Sequence, residues 1–377
     1  MDLHTFLNHP YIQLPVHWNS QADFEEFVSQ RFGAFLELID QLEANAVADE
    51  VRRRRDCIVA CCQSIQQALR LSFEGHPHDA YLCFDAAMQN VLPVIEALAF
   101  NVTGYRDLKT LYRVRQAHSA DLHRNDLFHI PFELRHMVAT QRYSIPGLPC
   151  LYLAGSLYTC WEEMGRPPLH ELQCAAFWVK DDKSLKMLNF SNRPARLALL
   201  TPQGSNPAEP AFISAHIVLW PLVFASSIVV KHRSSPFKPE YVVPQMVLQW
   251  VTHGHGFDGL VYFSTHVRAI SRTNPLPVCN VVLPAKHVTS TGRCARLCDS
   301  FKMTAPVSWQ LLSSVNVGEG TYMGSLATFE LEFIDGMKEP YYKTQFGVVQ
   351  SKAEKLVMDV MRRNHDGDQL TGEVSPS

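Results

Sequence analysis

The sequence predicts an α+β fold, a helical N-terminal domain over residues 1–104 followed by a region of short strands and turns. Two observations carry this. Phe24, Phe27, Phe32, Phe35, Leu36, Ile39 and Leu42 recur at helical spacing, and helical patterning persists to about residue 100. From Thr103-Gly104 onward, short apolar runs are separated by loops bearing Pro131, Pro146, Gly147 and Pro149.

The elements follow in order. After the first helix, a second is expected from Asp49 to Phe73, with Arg52 to Arg55 as a solvated face near its start. Gly75-His76-Pro77-His78 breaks the pattern, and a third helix runs from Asp79 to Leu98. Strands are expected at Thr110–Val114, Cys150–Ala154, Ala175–Val179, Leu185–Leu188, Leu260–Phe263 and Asn280–Pro284. Leu157–Met164 reads as a short helix and Tyr241–His253 as an amphipathic one. Residues 296–363 form a mixed C-terminal extension with a last helix near Lys352–Arg363, and 364–377 read as a polar, disordered tail.

Composition excludes several classes. The 377 residues are 46% hydrophobic and 19% charged, too apolar for a disordered chain. A net charge of -3 provides no basic field, so no nucleic-acid partner is expected. The ten cysteines are scattered without facing CxxC pairs, which suits buried thiols in a cytoplasmic protein and predicts no metal. The start of the chain shows no secretory signal. Ala211 to Val230 is uncharged and long enough to span a membrane, but Pro221 and His216 interrupt it. A buried helix running into a strand at Ile228–Val230 is expected there, and no membrane partner. GxGxxG, Walker A and HExxH motifs are all missing from the sequence.

Between residues 112 and 163 lie residues suited to one chemistry. Arginine grips a pyrophosphate because its planar fork donates in pairs, which suits Arg113 and Arg142. Tyr152 supplies a flat wall for a nicotinamide and its ribose. Glu163 would stabilise an oxocarbenium-like transition state. Each also has a plain reading: a surface arginine, a core tyrosine, a solvated glutamate in a Glu162-Glu163 pair. His129 reads as a packed loop histidine or a cleft residue, and His253 and His255 as histidines at a helix end.

The order and spacing of Tyr112-Arg113, Gln141-Arg142-Tyr143, Leu151-Tyr152-Leu153-Ala154 and Glu163 resemble the RES domain family, named for an arginine, a glutamate and a serine. The family's glutamate falls eleven residues after the tyrosine, at Glu163 and not Glu162. Phe257-Asp258-Gly259-Leu260-Val261-Tyr262-Phe263-Ser264 and Asn280-Val281-Val282-Leu283-Pro284 resemble its two closing strands, so the likeness covers about residues 107–290. Gln141 stands where the family carries glycine. The serine is assigned to Ser264, since Tyr241–Gln245, the other candidate place, has none.

The resemblance implies an ADP-ribosyltransferase-like split β core over residues 105–295, with NAD as substrate. Arg113, Arg142, Tyr143, Tyr152 and Ser264 would bind it, and Glu163, Arg113 and Tyr152 would act in catalysis. It implies cleavage of the nicotinamide–ribosyl bond, phosphate or water being the acceptor, in a toxin or defence effector. An antitoxin or other protein partner and a homo-oligomer are left open. Two other readings stand: a protein mono-ADP-ribosyltransferase using the same site, and a binding protein without turnover.

Overall fold

The computed structural model describes residues 1–19, 21–102, 110–117, 122–202, 208–267, 278–314, 329–334 and 337–365. It is an α+β protein with a helical N-terminal region. The helices are α1 (Leu3–Leu7), α2 (Phe24–Asp40), α3 (Ala46–Arg53), α4 (Arg55–Phe73) and α5 (Pro77–Leu98). Asp23 caps α2 by accepting from the Glu26 N–H at 2.8 Å, as a short acidic side chain does at an N-cap. The expected Asp49–Phe73 helix is two helices broken at Arg54, whose φ of -104° and ψ of 13° leave the helical region. Arg52 to Arg55 pair with Asp49, Glu50 and Asp40 on the surface, so the arginine run is a solvated face. Pro77 opens α5, which places His78 on that helix and not on the expected loop.

The strands are β1 (Phe100–Asn101), β2 (Leu111–Gln116) and β3 (Cys150–Ala154), after which α6 (Leu157–Glu163) leads to β4 (Leu172–Val179) and β5 (Lys186–Phe190). Helices α7 (Pro194–Ala198), α8 (Pro210–Val218), α9 (Trp220–Ser227) and α10 (Val242–Thr252) precede β6 (Gly259–Phe263) and β7 (Cys279–Pro284). The C-terminal part holds α11 (Ala295–Ser300), β8 (Phe301–Met303), β9 (Val307–Ser308), α12 (Trp309–Ser314), the hairpin β10 (Glu330–Ile334) and β11 (Met337–Pro340), and α13 (Gln345–His365). The last helix starts earlier than expected and includes Asn364 and His365; the remainder of the expected tail and the boundary at 104 lie outside the described residues.

One sheet runs in the order β1-β5-β6-β7-β3-β2-β4-β8, with β9 also on β4. Its pairs are antiparallel except β5–β6. Most neighbours share several rungs, but β2 and β3 meet at one, Tyr112 opposite Ala154. The strands thus form a single sheet whose two parts touch at one residue pair.

Two cores flank this sheet. The larger joins the N-terminal helices to the sheet: Phe35 stacks on Trp220 at 4.1 Å, and Phe32 meets Phe224 edge-on. Helices α8 and α9 therefore complete the N-terminal bundle, although they lie far along the chain. They bend by 53° at their junction, and Val229 beyond them forms one isolated bridge with His17 in place of the expected strand. Among the described residues no single helix is long and apolar enough to cross a membrane; α8 and α9 pass only as a bent pair, and their apolar side chains are buried from Ile213 onward. The smaller core joins Tyr112 and Val114 of β2 to α6, Trp309, Tyr341 and the face of α13 bearing Phe346 and Val349. Period-two alternation sends Leu111 to the first core and Tyr112 to the second.

Candidate active site

A cleft of about 530 Å³ opens where β2 and β3 part below their shared rung. Arg113 and Arg115 of β2, Tyr152 of β3, Glu163 of α6, Tyr262 of β6 and Asn280 of β7 line it. Arg142, Tyr241, Thr265 and His266 complete the wall, with Arg233 and Lys238 also on the lining.

Glu163 is the last residue of α6, whose start is capped by Ser156. The Ser264 hydroxyl donates to Glu163 Oε1 at 2.5 Å and the Asn280 carboxamide to the same oxygen at 2.7 Å. Ser264 Oγ in turn accepts from the N–H groups of His266 (3.1 Å) and Val267 (3.2 Å), which leaves its proton for the carboxylate. Strand pairing explains the convergence: Tyr262 faces Asn280 across β6 and β7, and Ser264 follows two residues on. The other oxygen, Oε2, has His266 Nε2 at 3.8 Å. The Glu163 side chain stays 32% exposed, so this oxygen pair is anchored yet reachable from the cleft.

Arg113 has a buried Nη1 with no hydrogen-bond partner among the described residues. Burial, with Arg115 adding to it, pulls its pKa down to about 10, which leaves it cationic at neutral pH. Arg113, Arg115, Arg233 and Lys238 have no carboxylate within salt-bridge reach among the described residues. An unpaired, partly desolvated guanidinium favours an anion that restores the lost solvation. Arg142 is held more firmly: it donates to Ser226 O at 3.2 Å and Thr265 Oγ1 at 3.3 Å, and lies 5.3 Å from the Tyr241 ring centre.

Tyr152 donates its hydroxyl to Tyr143 O at 2.7 Å, which fixes its ring as a wall; burial raises its pKa and keeps the phenol neutral. Tyr143 does not join the cleft lining. It is 2% exposed, and its ring packs 4.4 Å from that of Tyr262, so it supports the wall from behind. Tyr241 and Tyr262 take the aromatic places at the cleft. Gln141 needs no glycine, because its φ is not positive and Ser144 closes the turn by bonding both its N–H and its carbonyl. His129 is fully buried between Ile130 O and the Cys294 N–H, and burial lowers its pKa. Glu162 departs from the solvated reading: it is buried and bonds Arg166 at 2.9 Å, while its Oε1 has no partner among the described residues.

Sequence reasoning did not single out Asn280, Arg115, Tyr241, Tyr262, His266, Arg233 and Lys238 as site residues. Arg115 had a signal, since it lies two residues after Arg113 and so on the same face of β2. Asn280 opens a run of apolar residues in a buried strand, where a lone carboxamide needs a partner. Arg233 and Lys238 carry no such mark; their segment looks like any polar loop.

Fold and cleft together define an α+β protein with one anchored carboxylate facing arginines and tyrosines, an arrangement that can hold an anion and stabilise a positive charge beside Glu163. Over 349 residues the chain is 28% identical to a Bacillus subtilis (strain 168) protein described as "Putative toxin YopC", a match spanning 90% of this chain and 77% of that protein. No family model and no solved structure matches the chain.

Proposed function

We propose that this protein is an NAD-consuming enzyme of the RES type, with an ADP-ribosyltransferase-like core, that cleaves the nicotinamide–ribosyl bond and transfers ADP-ribose to phosphate or water. The observation that carries the reading is the Glu163 carboxylate, fixed by Ser264 and Asn280 in a cleft whose other charged walls are cationic. The glycosidic bond breaks with its electron pair going to the nicotinamide nitrogen, which neutralises the pyridinium. No strong general acid is therefore required. Positive charge develops on the ribose, where Glu163 stabilises it. Arg113 and Arg115 hold the pyrophosphate, and the rings of Tyr152 and Tyr262 orient the nucleotide. A role as a toxin accords with the description of the Bacillus subtilis relative.

Mass spectrometry of NAD incubated with the purified protein tests this, with and without phosphate, for wild type and Glu163→Gln. ADP-ribose identifies a glycohydrolase and ADP-ribose-1″-phosphate a phosphorylase. ADP-ribose found on a protein band instead identifies a protein ADP-ribosyltransferase. NAD left intact by wild type under both conditions, with no protein labelled, sinks the reading.

A further inference from the structure

We propose that the C-terminal helix α13 sets the position of Glu163 through Gln350, with Glu354, Tyr112 and Tyr341 completing a brace behind the cleft. These are positioning residues, and the assignment rests on Glu163 being the reacting carboxylate. The first-turn N–H groups of a helix have no acceptor within it. At the start of α6, Ser156 takes the Thr159 N–H but not that of Leu157. Gln350 Oε1 accepts it at 3.0 Å, across 193 residues of chain. The same oxygen accepts the Tyr341 hydroxyl at 2.8 Å. The carboxamide's other end donates to Glu354 Oε1 at 3.3 Å, and that oxygen also accepts the Tyr112 hydroxyl at 2.6 Å.

Gln350, Tyr341 and Tyr112 are each at most 1% exposed. A buried carboxamide bonded at both ends is held in one orientation, and removing it strands a buried N–H. Leu157 and Glu163 are the two ends of one seven-residue helix, so a shift at the first is carried to the second. Tyr112 is the residue before Arg113, and it forms the one rung between β2 and β3. The brace thus grips both the helix that carries the carboxylate and the strand that carries the arginines. Tyr341, Gln350 and Glu354 lie outside the part of the chain that resembles the RES family, whereas Tyr112 lies within it.

Gln350→Ala tests this, with amide hydrogen exchange over residues 156–163 and steady-state kinetics on NAD as readouts. We expect faster exchange in that segment and a kcat lower by about ten- to a hundredfold, with KM nearly unchanged, because misplacement of a reacting group by an ångström costs on that order. Gln350→Glu combined with Glu354→Gln keeps an acceptor for Leu157 and reverses the donor between the pair; it should recover both readouts. Tyr112→Phe, which deletes one hydroxyl, should show the same pattern more weakly and serves if Gln350→Ala does not fold. Unchanged exchange and kcat in Gln350→Ala, or no recovery in the double variant, overturns the brace. The exchange arm needs no turnover. If wild type leaves NAD intact, faster exchange confined to residues 156–163 still supports the brace, and only the proposed reaction falls.

Discussion

Glu163 and Glu354 receive the same kind of donors in two different regions. Glu163 accepts from a serine hydroxyl and an asparagine carboxamide, Glu354 from a tyrosine hydroxyl and a glutamine carboxamide. Their settings differ. Glu163 opens on a cleft rich in unpaired cations, whereas Glu354 packs half-buried against the second core, where burial raises its pKa. Hydrogen bonds alone therefore do not mark a reactive carboxylate. What separates the two is the charge of the space each one faces.

The sharpest way to break this contrast is to neutralise each carboxylate in turn. Glu163→Gln keeps the shape and should lower kcat for NAD cleavage by about two to four powers of ten while the fold persists. Equal turnover in wild type and variant would remove Glu163 from the reaction. On the opposing wall, Arg113→Met keeps length and removes the unpaired cation. NAD should bind about ten- to a hundredfold more weakly, as expected for a lost charge-assisted bond. Its melting temperature should stay level or rise, since a desolvated charge without a partner is removed. Calorimetric titration with NAD and a melting curve check both, and unchanged affinity would place the pyrophosphate elsewhere.

Glu354→Gln sharpens the comparison through pH. A carboxyl whose folded pKa is raised binds its proton more tightly in the native state. That contribution is fully present below the unfolded carboxylate pKa and is lost as pH rises through the folded value. At neutral pH the native protein bears the cost of the buried charge, which glutamine avoids. The variant should therefore melt higher than wild type at pH 7, and the gap should close as pH falls from the raised folded value to the ordinary carboxylate value. A gap independent of pH would show that Glu354 is not the titrating group. The smallest effect on turnover belongs to Glu162→Gln. It should leave kcat within about twofold but lower stability by about 1 kcal/mol, because it weakens the bond to Arg166 in a buried setting. A large loss of kcat would mean that the two glutamates share the role.

Much of the sheet was legible. β3, β6 and β7 are short apolar runs bounded by turn residues, which is how a buried strand announces itself. The structure brings Arg113, Arg142, Tyr152, Glu163 and Ser264 around one cleft, residues that the resemblance to the RES family had already grouped. The illegible parts share a cause. α8 and α9 are apolar on every side, so no periodicity says which neighbour they pack against. Glu162 and Glu163 both read as solvated from the residues alone, and only the turn of α6 shows that Glu162 is buried. Gln350 and Glu354 carry no mark of their role in the sequence, because nothing local reveals that Tyr112 and Leu157 come to meet them.

Glu163 occupies the final position of α6. The carbonyl end of a helix carries partial negative charge, which disfavours a carboxylate there by a few tenths to about 1 kcal/mol. Folding is thus opposed slightly by this residue, and the same field points at whatever sits beside it. In the proposed reaction, the peptide dipoles of α6 and the side chain at its tip would act in the same direction on a sugar passing through a cationic state, and the backbone itself would belong to the electrostatics of that step.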